Sequence, residues 1–114
     1  MVTTETLLNR LKTKLGSDYR TAKALGITGQ RISYIRTRGG VFTDEQGLKA
    51  AEILGLKEEF VILSLAAERA EKSPAYSILK KIADRFEPKS AAAGLVLGMI
   101  FTLATTYPIP TITA

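Results

Sequence analysis

The sequence has no histidine, no cysteine and no tryptophan among its 114 residues. Without cysteine no disulfide framework can form, and without cysteine and histidine the usual ligands of a transition-metal site are missing. The same absences remove the side chains of the familiar nucleophile–base triads. The composition still allows a metal site built from carboxylates, or a serine or lysine nucleophile. The sequence contains no motif for any of these. We therefore expect a protein that is not an enzyme and has neither a cofactor nor a metal site.

Charge is also missing from one long stretch, the 25 residues 90–114. Over the whole chain, 16 basic residues stand against 11 acidic ones, which gives a net charge of +5. Most of this excess lies in residues 10–38, which hold eight basic side chains and a single acidic one, Asp18. Positive charge concentrated in this way is what a phosphate-contacting surface requires. The alternative is a solvated helical face with no binding role.

The spacing of apolar residues predicts helices along residues 3–88 and no strand of useful length, with only the Val41-Phe42 pair ambiguous. Each helix is expected to begin at a capping residue and to end at glycine or proline. The expected starts are Thr3 or Thr4, Ser17-Asp18, Thr28, Thr43, Glu58 and Ser73-Pro74.

Three of these helices carry specific expectations. The fourth opens on a capping box formed by Thr43 and Gln46, and it is expected to bury Leu48, Ala51 and Leu54. The fifth should extend over residues 58–72, with Phe60, Val61, Leu63 and Leu65 making it unusually apolar. The sixth should have Ser73 as its cap and Pro74 as its first residue. Its apolar residues are expected to share one face: Ile78, Leu79, Ile82 and Phe86.

Residues 18–37 combine the features that a helix-turn-helix needs. Two helices that cross steeply require a small residue where they approach, and Ala22 stands at that place. The first helix must end at a residue that tolerates positive φ, which Gly26 supplies. Apolar anchors are needed under the turn and along the second helix, and the sequence provides Leu25, Ile27, Ile32 and Ile35.

On these residues the sequence resembles the Cro/repressor class of bacterial and phage DNA-binding proteins. The resemblance covers residues 3 to about 70, since Arg38-Gly39-Gly40 looks like the exit of the recognition helix in that class and residues 43–56 look like its fourth helix. More narrowly, the chain is similar to small helix-turn-helix proteins of filamentous phages and their integrated relatives. These share the Ala24-Leu25-Gly26 turn and an Ala/Glu/Arg-rich fifth helix.

The helical pattern and the resemblance together predict an all-α architecture with three parts. Residues 1–72 would form a five-helix Cro/repressor-like helix-turn-helix bundle that binds DNA. Residues 73–89 would form a connecting amphipathic helix, and residues 90–114 a hydrophobic tail with a C-terminal helix.

The resemblance also implies that the second helix of the motif lies in the major groove of double-stranded DNA. Carried over by position, the residues that would contact bases are Thr28, Gly29, Gln30, Ser33, Tyr34 and Thr37. Gln30 is the best base reader, because its amide can pair with both N6 and N7 of adenine. The residues that would contact phosphates are Arg20, Lys23, Arg31, Arg36 and Arg38.

Two of these positions leave alternatives open. A glycine in the first turn of a helix costs about 1 kcal/mol in helix propensity. Either the backbone at Gly29 approaches DNA closely, or the helix starts one residue later. The ring of Tyr34 either faces DNA or half-covers Ile35 or Leu25.

The uncharged tail has its own alternatives. Residues 91–107 would span about 26 Å as a helix, slightly less than a hydrocarbon core of about 30 Å. Lysine and arginine precede this segment and no charge follows it, so the positive-inside rule would keep the N-terminal part in the cytoplasm, with the tail anchored in the inner membrane. Small residues at Gly94 and Gly98 would let two such tails pair. The segment is otherwise a buried dimerisation helix, or a disordered end.

Together these features predict a transcriptional regulator of phage or prophage origin that binds operator DNA as a homodimer. The opening residues show no apolar secretory signal, so we expect the protein in the bacterial cytoplasm. One alternative is a small phage protein at the inner membrane whose helical bundle docks a protein partner. Another is the antitoxin of a toxin–antitoxin pair, with the tail as the toxin-binding segment.

Overall fold

The structure, a computed structural model, describes residues 1–88. Over this range the chain forms helices and no strand, which confirms the predicted all-α class. The helices are α1 Thr4–Leu15, α2 Asp18–Leu25, α3 Gly29–Arg38, α4 Asp44–Leu54, α5 Glu58–Arg69 and α6 Ala75–Arg85. None of these helices has the length and apolar character needed to cross a membrane. The predicted tail helix and its Gly94–Gly98 pairing lie outside the described residues.

Side-chain caps and glycines define the first three helices. The hydroxyls of Thr3, Ser17 and Thr28 each accept a hydrogen bond from the backbone N–H three residues further on. Such caps satisfy backbone donors that a helix start leaves without a partner. α2 ends at Gly26 with φ of 72°, a left-handed conformation that glycine adopts without strain. Short connections therefore join α1, α2 and α3 and restrict how these helices can pack.

The core lies between α1, α5 and the segment that joins α3 to α4. Phe42, which belongs to that segment and not to a strand, is completely buried. It is the largest of the fully buried side chains in the described part of the chain. Besides Phe42, the core contains Leu7, Leu8 and Leu11 of α1, Ile32 and Ile35 of α3, and Phe60, Val61 and Leu65 of α5.

A buried threonine ties this segment to the start of α1 and to α5. The backbone N–H and the hydroxyl of Thr4 donate to Glu68 Oε1 at 2.9 and 2.8 Å. The Thr4 hydroxyl in turn accepts a hydrogen bond from the N–H of Phe42 at 3.1 Å. Because buried polar groups without partners are costly, this chain of hydrogen bonds fixes the segment that follows α3.

The capping box of α4 is confirmed, but of the three residues predicted to be buried only Ala51 is, since Leu54 is half-buried and Leu48 is exposed. The hydroxyl of Thr43 and the amide of Gln46 cap each other's backbone as expected. Leu48, however, is 38% exposed, and the buried positions are Gly47, Ala50 and Ala51. A Cβ on Gly47 would lie 2.5 Å from Leu65 Cδ1, so α4 approaches α5 through its small residues. This close approach turns Leu48 outward.

The last two helices also differ from the prediction at their ends. α5 stops at Arg69 and not at residue 72, and α6 begins at Ala75 with Pro74 at the N-cap position. The Ser73 hydroxyl still accepts from the N–H of Ala75 at 3.1 Å. α6 packs along α5, where its Ala83 is fully buried. The expected apolar face is covered only in part, because Ile78 is 61% exposed.

Candidate nucleic-acid interface

The third helix has a buried inner side and an exposed outer side. Ile32 and Ile35 of the inner side are buried in the core that also contains Ala22 and Leu25 of α2. All six residues that the sequence places in base contact are exposed: Thr28, Gly29, Gln30, Ser33, Tyr34 and Thr37. The structure therefore brings these residues together on one surface, as helical periodicity requires.

An open groove runs along this outer side, between α3 and the start of α2. We call it the α2–α3 groove, and it is lined by Asp18, Tyr19, Gly29, Gln30, Ser33, Tyr34, Thr37 and Arg38. Thr28 is not part of the lining, and its hydroxyl accepts from the N–H of Arg31. Among the hydrogen bonds within residues 1–88, none involves the side chains of Gln30 or Ser33. Their donors and acceptors are thus available to a ligand.

Gly29 is the first residue of α3, and no packing within the protein requires a glycine there. A Cβ added to it would meet no atom within 4 Å, and its φ lies outside the left-handed region. α3 includes Gly29 as its first residue, so the helix does not start one residue later. The N–H groups of a first turn have no partner inside the helix. Without a side chain at Gly29, a ligand can come close to this backbone.

Three of the five predicted phosphate contacts are exposed, namely Arg20, Lys23 and Arg38. Two of these cations lie over aromatic rings. Lys23 Nζ is 5.3 Å from the centre of the Tyr19 ring, and the Arg38 guanidinium is 5.7 Å from the centre of the Tyr34 ring. Such contacts are weakly attractive at an exposed site and orient the cation. Tyr34 is itself 52% exposed and lines the α2–α3 groove.

The other two predicted phosphate contacts, Arg31 and Arg36, are half-buried and hydrogen-bonded within the fold, whereas the exposed Arg20 donates one bond, to the carbonyl of Leu15 at 3.4 Å. Nε and Nη2 of Arg36 donate to the two carboxylate oxygens of Asp18, each at 2.9 Å. Nη1 of Arg36 donates to Asn9 Oδ1 at 2.7 Å, so this side chain links α3 to α1 and α2. Arg31 donates to the carbonyl of Val41 at 3.3 Å. Both arginines are half-buried and brace α3 against its neighbours.

The two hydrogen bonds from Arg36 also change the ionisation of Asp18. Hydrogen bonds from the guanidinium hold the pKa of Asp18 below its ordinary value, against a smaller opposing effect of burial. A carboxylate with a lowered pKa in the folded state stabilises the fold at pH values above its unfolded pKa of about 3.9. That contribution is lost as the pH falls through the lower, folded-state pKa.

We expect Asp18→Asn to lower the free energy of unfolding at pH 7 by about 1 kcal/mol or less, since the pair is partly exposed and screened. The difference between the variant and the unmodified protein should shrink in acid, where the carboxylate of Asp18 is increasingly protonated. Urea unfolding at pH 7 and pH 3 measures both values, with the exposed Glu52→Gln as a control. A difference that is the same at both pH values would show that the charge of Asp18 contributes nothing.

One groove residue was missed by the sequence reasoning. Tyr19, the second residue of α2, is 67% exposed and lines the α2–α3 groove opposite Gln30 and Ser33. Helical spacing gave no signal for it, because residue 19 is three positions before the inward Ala22, and residues at that spacing share one side of a helix.

The chemistry of this surface is hydrogen bonding by neutral groups, aromatic contact and positive charge. Residues 1–88 contain no cluster of three or more acidic side chains that could hold a metal ion. Comparisons of the chain with protein-family models, with curated proteins and with solved structures found no match.

Proposed function

We propose that the protein binds double-stranded DNA in a sequence-specific manner, with α2 and α3 acting as a Cro/repressor-like helix-turn-helix. The observation that carries the proposal is the outer side of α3, where the hydrogen-bonding groups of Gln30 and Ser33 are free between exposed cations. A helix that reads base edges needs such neutral donors and acceptors at its centre and positive charge at its margins.

The exposed polar and basic residues of α2 and α3 divide into two roles in this proposal. Gln30 and Ser33 read base edges in the major groove, which is about 12 Å wide and admits one α-helix. Arg20, Lys23 and Arg38 contact phosphates and so set the position of α3 without specifying sequence. Arg31 and Arg36 act indirectly, because their guanidinium groups hold α3 against the rest of the fold.

The biological setting belongs to the same proposal. A single domain of this kind reads only half of an operator, so we propose that a homodimer acts as a transcriptional regulator of phage or prophage origin. It would act in the bacterial cytoplasm, with the uncharged residues 90–114 as a membrane anchor or a dimerisation segment. Gly94 and Gly98 are the residues of that segment that we propose for self-association.

Replacing Gln30 tests whether α3 reads sequence. We expect Gln30→Ala to weaken binding to the preferred duplex by about 1–3 kcal/mol and to change binding to random DNA little. The Gln30 side chain is exposed and unpaired, so the thermal stability should not fall. Fluorescence anisotropy with the preferred and the random duplex gives the two affinities. Equal weakening on both duplexes would show that Gln30 does not read bases.

A further inference from the structure

The sixth helix carries three different stripes of side chains. The stripe that faces α5 contains the half-buried or buried residues Tyr76, Leu79, Ala83 and Phe86. A second stripe contains Lys80, Asp84 and Glu87, and the ammonium group of Lys80 lies 3.1 Å from a carboxylate oxygen of Asp84. The third stripe, which we call the α6 outer stripe, consists of Ile78, Lys81, Ile82 and Arg85. Spacings of three, four and seven residues place these four side chains on one side of the helix.

The α6 outer stripe is both apolar and basic. Ile78 is 61% exposed, Ile82 is half-buried, and Lys81 and Arg85 are exposed. The α6 outer stripe contains no acidic residue. The two carboxylates of α6 and the turn that follows it, Asp84 and Glu87, lie on the second stripe together with Lys80. Isoleucine next to lysine and arginine on one helix side is typical of helices that lie on an anionic bilayer surface.

The sequence that follows α6 supports a lipid partner over a protein copy. Lys89 adds one more positive charge, and residues 90–114 then contain no charged side chain. Such a composition favours lipid next to this helix. Two copies of the outer stripe placed face to face would instead bring Lys81 and Arg85 of each copy together with no acidic partner in the stripe. Like charges at an interface oppose association.

We propose that the α6 outer stripe rests on an anionic lipid surface. Ile78 and Ile82 then enter the boundary between headgroups and acyl chains, and Lys81 and Arg85 contact lipid phosphates. This surface is separate from the α2–α3 groove, which is built from residues 18–38, while α6 packs on α5. Lipid binding is therefore independent of DNA binding and can be tested without DNA.

The test uses the full-length protein and flotation with vesicles of phosphatidylcholine, with or without phosphatidylglycerol. One basic residue near an anionic surface changes partitioning about five-fold, so Lys81→Gln with Arg85→Gln should weaken binding to the anionic vesicles by about 25-fold. The matched control is Lys14→Gln with Lys49→Gln, which removes the same charge from α1 and α4 and should change binding less than about two-fold. Ile78→Ser should weaken binding to anionic vesicles several-fold.

Three results would overturn the proposal. The first is an unmodified protein that does not float with anionic vesicles. The second is equal loss of binding in the Lys81/Arg85 variant and in the control, which would assign binding to overall charge or to the tail. The third is a fall in molecular mass for Ile78→Ser without lipid, which would make the stripe an interface between copies. Because all altered side chains are largely exposed, circular dichroism and melting temperature should be unchanged in every variant.

Discussion

Phe42→Ala is expected to lower the free energy of unfolding by about 3–5 kcal/mol, a large part of the 5–15 kcal/mol typical of a small domain. The Phe42 ring is completely buried, and the backbone on both sides of it is hydrogen-bonded to other elements. Its N–H donates to the Thr4 hydroxyl, and its carbonyl accepts from Arg69 at 2.8 Å. The surrounding backbone cannot therefore collapse easily into the cavity that truncation leaves.

Urea unfolding measures this loss, and Leu48→Ala is the control within the same chain. Leu48 is 38% exposed, so its truncation should cost about 1 kcal/mol or less. A loss below about 1 kcal/mol for Phe42→Ala would contradict the position of this ring at the centre of the core.

Replacing Arg20, Lys23 and Arg38 together by glutamine is expected to remove most of the non-specific affinity for DNA. Each phosphate contact contributes about 0.9 to the slope of log K against log salt concentration. Losing three contacts should therefore reduce the magnitude of the slope by about 2.7, with similar weakening on preferred and random duplexes. These side chains are exposed, so the fold should remain intact.

The control for this variant replaces Lys14, Lys57 and Lys72 by glutamine, which removes the same charge from exposed positions outside α2 and α3. The control should change the slope of log K against log salt concentration by less than the value of about 0.9 that one phosphate contact contributes. Equal slopes for the two triple variants would mean that DNA binding depends on net charge and not on the positions of Arg20, Lys23 and Arg38. Arg36→Gln serves as a further comparison. The Arg36 side chain is bound to Asp18, so this substitution should lower the free energy of unfolding more than it changes the salt slope.

Helix positions could be predicted from the sequence because their signals are local. A threonine or serine hydroxyl that caps a helix, and a glycine such as Gly16 or Gly26 that ends one, act on residues within one turn. The burial of α4 could not be predicted in the same way. It depends on the close approach between Gly47 and Leu65, which are far apart in the sequence, and that approach leaves Leu48 exposed.

The same difference between local signals and long-range packing applies to the candidate site. The resemblance was sufficient to predict that Gln30, Ser33 and Thr37 lie on the outer side of α3, and these three residues are exposed in the structure. The roles of the arginines required knowledge of neighbouring elements. Asp18 precedes Arg36 by 18 residues, and only the packing of α2 on α3 brings the two together.

Selection of DNA sequences by the full-length protein tests the central claim most directly. A duplex library with a random central region is enriched for bound sequences, and the affinities of the enriched and the starting duplexes are then measured at several salt concentrations. The account predicts an enriched sequence bound at least about 1,000-fold more tightly than random DNA, with affinity falling steeply as salt increases. Absence of enrichment, together with binding that does not depend on salt, would contradict it.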